Sequence, residues 1–148
     1  MKGAERFFVD TNVILYSLDT ADPRKQEMAR RWMDALWQEA SGRISWQVLN
    51  EFCVNGIKKL RLPATRVRST VELLAQWQPV GFNLGVLRRA WAWSDSAGLP
   101  YWDALVLAAA ETSGCRYLLS EDFQAGRRFG EIVVVNPFQV SHQDFRVP

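Results

Sequence analysis

Phe7-Phe8-Val9-Asp10-Thr11-Asn12-Val13-Ile14-Leu15 decides how this chain folds. Phe7, Phe8 and Val9 form a short run with no polar member, the pattern of a strand buried on both faces of a parallel sheet. Asp10 ends that run. A buried carboxylate without a partner costs on the order of several kcal/mol, so Asp10 needs a partner or a use. Two readings stay open. Asp10, Thr11 or Asn12 suits the cap of the helix that Val13, Ile14 and Leu15 begin. Asp10 also falls where ligands collect, at the carboxyl end of a strand in an open α/β sheet. More carboxylates at equivalent strand ends and helix starts would favour the second reading.

Outward from this stretch, helices follow in series. The first is short, about Asn12 to Leu18. Asp22-Pro23 opens a long one with an Asp cap and Pro in its first turn. Its apolar stripe is Ala29, Trp32, Met33, Leu36, Trp37 and Ala40, and Ser41-Gly42 stops it, with glycine expected as the left-handed cap. Ile44-Ser45 suggests a very short strand. A helix over about Gln47 to Leu60 carries Val48, Glu51 and Asn55 on one side. Taken alone, Glu51 reads as a half-exposed glutamate at the edge of a stripe. Lys58, Lys59 and Arg61 suit that helix's C-terminal dipole. Leu62-Pro63 breaks the chain, and a fourth helix runs to about Trp77 with Val67, Val71, Leu74 and Trp77 inward. Pro79 to Phe82 suggests a short strand, and Asn83 suits the cap of a helix holding Leu87, Trp91 and Ser94.

Tyr101 to Thr112 is apolar nearly all round, which marks a central, buried helix. Asp103 is the one charge in its first two turns. An Asp at a helix start is favoured by the dipole whatever its role, but in so apolar a helix its carboxylate needs a partner. Tyr117-Leu118-Leu119 then repeats the opening pattern and ends in Ser120-Glu121-Asp122, where Ser120 or Asp122 is expected to cap a short helix. Gly126 to Gly130 reads as a basic loop with Arg127 and Arg128. Ile132 to Val135 is a third apolar strand, stopped by Asn136-Pro137. A polar tail over 139–148 is expected to be loosely held. No internal repeat or linker divides the chain, so one domain spans 1–148 with its core at about 6–138.

Composition narrows the class. The chain has 148 residues, 48% of them hydrophobic, and a net charge of +2, which fits a globular domain and permits a nucleic-acid partner without implying one. No apolar run reaches the roughly 20 residues of a membrane span. The N-terminus runs straight into the first strand, so no signal peptide is expected. Cys53 and Cys115 lack metal-ligand spacing and read as thiols of a reducing cytoplasm. The single histidine, His142, builds neither a His-rich metal site nor a Ser-His-Asp triad.

Strands alternating with helices predict an α/β chain with a parallel sheet between helical layers. Asp10 and Asp122 end strands, and Asp103 and Glu51 project from helices nearby. Four carboxylates in one cleft repel unless a counter-charge joins them. Mg²⁺ or Mn²⁺ takes carboxylate oxygens, keeps waters and completes its shell with substrate phosphate. Carboxylates without His or Cys suit phosphodiester hydrolysis better than zinc proteolysis.

These residues resemble a known family. Val9-Asp10-Thr11-Asn12-Val13, Asn50-Glu51-Phe52, Tyr101-Trp102-Asp103-Ala104-Leu105, Leu118 to Phe123 and Val134 to Phe138 occur in the order and at the separations of PIN-domain proteins, specifically VapC-like toxins. The resemblance runs from Phe7 to about Phe138. It implies a three-layer α/β/α fold with a central parallel sheet. It implies a Mg²⁺- or Mn²⁺-dependent endoribonuclease, usually dimeric and inhibited by an antitoxin. Asp10, Glu51, Asp103 and Asp122 match the family's acidic quartet, which holds the metal, and Thr11, Asn12 and Ser120 match its supporting polar positions. Arg127-Arg128 receives no role.

Rival readings fit less well. A haloacid-dehalogenase-type phosphatase expects a second Asp two residues after the first, where this chain has Asn12. A response-regulator receiver expects paired acids after the first strand and a lysine after the last. The alternative that stays is a catalytically silent PIN module that binds RNA or protein, although none of the four acids is lost. Seven tryptophans and the apolar faces at Trp32/Trp37 and Trp91 predict a homodimer interface and a groove for an antitoxin helix.

Overall fold

The computed structural model describes residues 5–145. Strand β1, Phe7–Val9, is buried on both faces, as its unbroken apolar run requires. It leads through Asp10 into α1, Thr11–Ser17. Helix α2, Pro23–Gln38, starts where Asp22 accepts from the Lys25 backbone N–H at 3.1 Å and Pro23 takes the first helical position. Strand β2 is Gly42–Arg43, two residues earlier than the expected Ile44-Ser45. Helix α3, Trp46–Lys58, is capped by Ser45, which accepts from the Val48 N–H at 3.2 Å. Helix α4, Ala64–Leu74, continues into a 3₁₀ turn at Ala75–Trp77. Helix α5, Leu84–Ala97, is capped by Asn83, and α6 is Tyr101–Thr112. Strands β3, Tyr117–Leu119, β4, Arg128–Phe129, and β5, Ile132–Val135, complete the sheet.

The sheet order is β2-β1-β3-β5-β4. Pairs β1–β2, β1–β3 and β3–β5 are parallel, and β4 runs antiparallel to β5 at the edge. Helices flank this sheet in a three-layer α/β/α arrangement. Phe8 pairs with Leu118 and Leu118 with Val134, so the three apolar strands stand in register. Their carboxyl ends therefore come level: Asp10 follows Val9, Ser120 follows Leu119, and Asn136 follows Val135. On α6 every residue from Ala104 to Ala110 is buried, the central placement its composition predicts. Asp103 lies at its start, where the buried segment meets solvent.

Several expectations are corrected. Gly42 is not the left-handed cap of α2. Ala40 takes that conformation, with φ 53°, and Gly42 is needed for space, because a Cβ there would stand 2.5 Å from the Trp77 ring. Among the described residues, no short helix begins at Ser120 or Asp122. Ser120 Oγ instead accepts from the Asp122 N–H at 3.1 Å and closes a turn. The basic loop is a hairpin edge, β4, which returns onto β5. Of Pro79 to Phe82, only Val80 forms a bridge, to Ser45. The tail is packed as far as residue 145. Phe145 meets the Phe7 ring edge-on at 5.6 Å, and buried His142 lies 3.1 Å from Glu39. Residues 146–148 of that tail lie outside the described residues. Trp32 is core, donating its indole N–H to the carbonyls of Pro137 and Val140, so of the pair Trp32/Trp37 only Trp37 reaches the surface. Cys53 and Cys115 are free thiols.

Candidate active site

Asp10 takes the first of its two readings and is paired across the sheet as well. It is the N-cap of α1, its Oδ1 accepting the Thr11 backbone N–H at 2.8 Å. Its Oδ2 accepts the Ser120 hydroxyl at 2.7 Å, across the β1–β3 pair. Parallel pairing in register makes that contact: the two residues leave adjacent strands at the same level. Asn12 joins the same two strand ends. Its Nδ2 donates to Asp122 Oδ2 at 3.1 Å and approaches Ser120 Oγ at 3.3 Å and Asp10 Oδ2 at 3.4 Å. Its Oδ1 accepts from the Glu121 N–H at 3.3 Å. Turning the amide over would set oxygen against two carboxylates, so the network fixes its orientation.

Glu51 reaches the site from α3. Thr11 Oγ1 donates to its Oε2 at 2.6 Å, and Gln47 Nε2 donates to its Oε1 at 2.9 Å. The same Gln47 nitrogen donates to the Trp102 carbonyl at 3.2 Å, which ties α3 to the start of α6. Asp103 has no side-chain hydrogen-bond partner among the described residues. Electrostatics nonetheless places it with the others. Partial burial first, then the charges of Asp122 and Glu51, hold its carboxyl above the usual carboxylate range. Asp10 is pushed up to about 6, chiefly by burial and further by Asp122 and Glu51, against the lowering effect of the Ser120 and Thr11 hydrogen bonds.

All four sequence-predicted acids thus act on one locality, and Thr11, Asn12 and Ser120 each hold one or more of them in place. A cleft of about 500 Å³ opens over it, with Thr11, Asn12, Glu51 and Asp122 in its wall and Lys59 on the same surface. Asp10 lies behind this wall, 6% exposed. Among the described residues, no three of the acidic, histidine or cysteine side chains stand close enough to hold a metal ion directly. Thr11 and Gln47 hold Glu51, and Asn12 ties Asp122 to Asp10. The donor set itself is carboxylate, hydroxyl and amide oxygen, which suits a hard cation. Mg²⁺ takes only one or two carboxylates and keeps several waters, so the residues present fit such an ion.

Sequence reasoning missed Gln47 and Trp102. The spacing of Gln47 to Glu51, i to i+4 on one helix, was the available signal for the first. Neither the contact of Gln47 with Trp102 nor the site-lining position of Trp102 has a local signature. Glu121 lines the same cleft but pairs with Lys25, whose ammonium also lies over the rings of Tyr16 and Phe138.

Comparison with known proteins identifies the family and the fold. The PIN domain model matches residues 7–128, and the chain belongs to the PIN-domain family. Solved structures share the fold. A toxin–antitoxin complex from Klebsiella pneumoniae is 20% identical, covering 90% of this chain and 98% of that one, at a TM-score of 0.63. VapC20 from Mycobacterium tuberculosis, described as a sarcin–ricin loop cleaving toxin, is also 20% identical, over 78% and 91%, at 0.57. VapBC2 from Rickettsia felis, bound to a DNA fragment from their promoter, is 13% identical, over 86% and 96%, at 0.58. At these identities the likeness is one of fold. The sequence has no match among curated proteins.

Proposed function

We propose that this protein is a metal-dependent endoribonuclease and the toxin of a toxin–antitoxin pair. The observation that carries this reading is the meeting of Asp10, Glu51, Asp103 and Asp122 at the carboxyl ends of β1 and β3, each within electrostatic reach of two others or more. Carboxylates that repel one another call for a counter-charge, and a cation with a substrate phosphate supplies it. The printed descriptions of the fold relatives, a toxin–antitoxin complex and a sarcin–ricin loop cleaving toxin, support the same class.

One or two at a time of Asp10, Glu51, Asp103 and Asp122, with waters, would hold Mg²⁺ or Mn²⁺, which when bound would supply a water of lowered pKa and neutralise charge on the scissile phosphate. The chain's own contribution is placement. Ser120 and the Thr11 N–H fix both oxygens of Asp10, so the deepest acid cannot rotate. Asn12 holds Asp122. Thr11 and Gln47 grip both oxygens of Glu51, which orients a carboxylate suited to accept a proton from an attacking water.

Partners follow from two faces. A groove of about 300 Å³ lies between α1, α2 and α4, with Ile14, Leu18, Met33 and Leu73 in its wall and Arg30 and Asp34 among them. It suits the apolar face of an antitoxin helix. Trp91 on α5, 48% exposed, suits a homodimer contact. Among the described residues no helix is long and apolar enough to cross a membrane, and the proposed site of action is the cytoplasm, where RNA is met.

The test is cleavage of end-labelled RNA with Mn²⁺, with excess EDTA, and with Asp10→Asn. Loss of a ligand charge with shape kept should lower the rate by about 10²-fold or more. Undiminished cutting by Asp10→Asn, or in EDTA, counts decisively against the reading. RNA binding without cutting by the wild type would fit a silent PIN module instead.

A further inference from the structure

Among the described residues, the charged side chains in the wall of the acidic cleft are four acids, Asp19, Glu51, Glu121 and Asp122, and one cation, Lys59. Glu121 is already paired with Lys25. Lys59 has no such partner: among the described residues its exposed ammonium makes neither an ion pair nor a hydrogen bond. Asp19 lines the same cleft, yet it turns an oxygen to the Ala21 N–H at 3.0 Å. The position of Lys59 is nevertheless set. Glu51, Asn55 and Lys59 recur every four residues along α3 and its C-terminal cap, so they share one face. The N–H groups of Lys59 and Leu60 both return to the Asn55 carbonyl, at 2.8 and 3.3 Å, which fixes the backbone that carries the ammonium. Eight residues of helix carry Lys59 about 12 Å along the axis from Glu51. The dipole of α3 does not single out Lys59, because Lys58 stands in the last turn of the same helix, outside the cleft wall.

We propose that Lys59 binds a backbone phosphate of the RNA strand other than the scissile one, and so positions the strand along the cleft. This rests on the nuclease reading above. RNA carries a negative charge at every linkage, and a wall of acids repels each of them. A cation held among the acids offsets only the phosphate beside it. The rest of the strand meets uncompensated acid unless the protein supplies a positive charge of its own. Lys59 supplies it. An ammonium is a compact point charge with three donors, suited to a phosphate oxygen and indifferent to the base attached. Its place along α3, set off from Glu51, assigns it to a linkage other than the one cut. With no carboxylate to give up, Lys59 takes a phosphate at the cost of its own hydration alone.

The test uses the full-length protein, Mn²⁺ and a short cleaved RNA in which each linkage except the scissile one is replaced in turn by an uncharged methylphosphonate. The sugar on the 5′ side of that linkage is 2′-deoxy, and the deoxy substitution alone is the reference. For the wild type, one linkage should cost about fivefold in kcat/KM. Lys59→Gln should lose about fivefold on the parent RNA, mostly in KM, and lose nothing further at that linkage. Its fall of log kcat/KM with log salt should be shallower by about 0.7. Lys59→Arg should restore the parent rate and the linkage effect, which guards against a folding artefact in the glutamine variant. Lys58→Gln removes the same charge from the same helix end and should keep the linkage effect. Wild-type kinetics for Lys59→Gln, a wild type indifferent to every linkage, or a linkage effect that persists in Lys59→Gln overturns the contact and leaves the nuclease reading intact. Loss of the linkage effect in Lys58→Gln as well makes it a property of the helix end as a whole and also overturns the contact. Failure of the wild type both to cut and to bind RNA overturns the nuclease reading and the contact with it.

Discussion

The carboxyl of Asp10 sits where a strand ends, nearly out of reach of water, and it holds its proton up to about pH 6 rather than 3.8. Between those values the folded protein binds a proton that the unfolded chain has released. Stability from this group is thus present at low pH and lost as pH rises through about 6. The full difference is about 3 kcal/mol, at 1.36 kcal/mol for each pH unit. Asp10→Asn keeps the shape and an acceptor for the Thr11 N–H but does not titrate. Denaturant melts of both proteins in EDTA from pH 4 to pH 7 should show the variant gaining on the wild type as pH rises, with no further gain above about pH 7. Parallel curves would mean that the Ser120 and Thr11 hydrogen bonds outweigh burial at Asp10.

At the scale of elements, two apolar helix surfaces suit protein partners, and they differ in kind. The groove between α1, α2 and α4 is concave, with Leu73 half exposed at its wall. The face of α5 around Trp91 is a bare helix surface. A charge at the first should disturb helix docking, and a charge at the second should disturb self-association. Leu73→Arg is expected to weaken binding of a co-expressed antitoxin by about tenfold or more while the oligomeric state is unchanged. Trp91→Arg is expected to shift sedimentation from dimer to monomer at tens of micromolar, a range of about the affinity such contacts give. A wild type that is already monomeric there removes the dimer, and an antitoxin unaffected by Leu73→Arg moves its site elsewhere.

For the whole molecule, the site is a repulsion that the rest of the fold restrains. Two unit charges about 4 Å apart repel by roughly 4 kcal/mol at an effective dielectric near 20, before screening and proton uptake reduce it. Among the described residues the Asp103 side chain makes no hydrogen bond that substitution would remove, and its carboxyl is held up by burial and by Asp122 and Glu51. Asp103→Asn should therefore raise the melting temperature in EDTA while abolishing cleavage. Mn²⁺ at a hundred times its dissociation constant should stabilise the wild type by about 2.7 kcal/mol and the variant much less. Four melting curves decide it. A variant that melts lower in EDTA, with equal metal shifts in both proteins, would make Asp103 a structural helix-start residue and not a ligand.

The sequence by itself determined the three central strands β1, β3 and β5 and most of the helices, because their signals are local. An all-apolar triplet at Phe7 to Val9, the caps Asp22 and Asn83, and the run Ala104 to Ala110 each declare an element through their own neighbours. It also determined which acids to watch, since strand ends and helix starts are positions along the chain. Packing decided the rest. Gly42 is glycine because of Trp77, a residue 35 positions away, and not because of the turn it follows. Phe145 and His142 lie in a polar tail by sequence, yet they close over Phe7 and Trp32 once the sheet exists. Trp32 and Trp102 look alike on a helical wheel. Only the folded chain buries the one among the tail carbonyls and leaves the other open beside Glu51. The convergence of Asp10 with Ser120 depends on β1 pairing with β3 in parallel and in register, a long-range choice that no window of sequence contains.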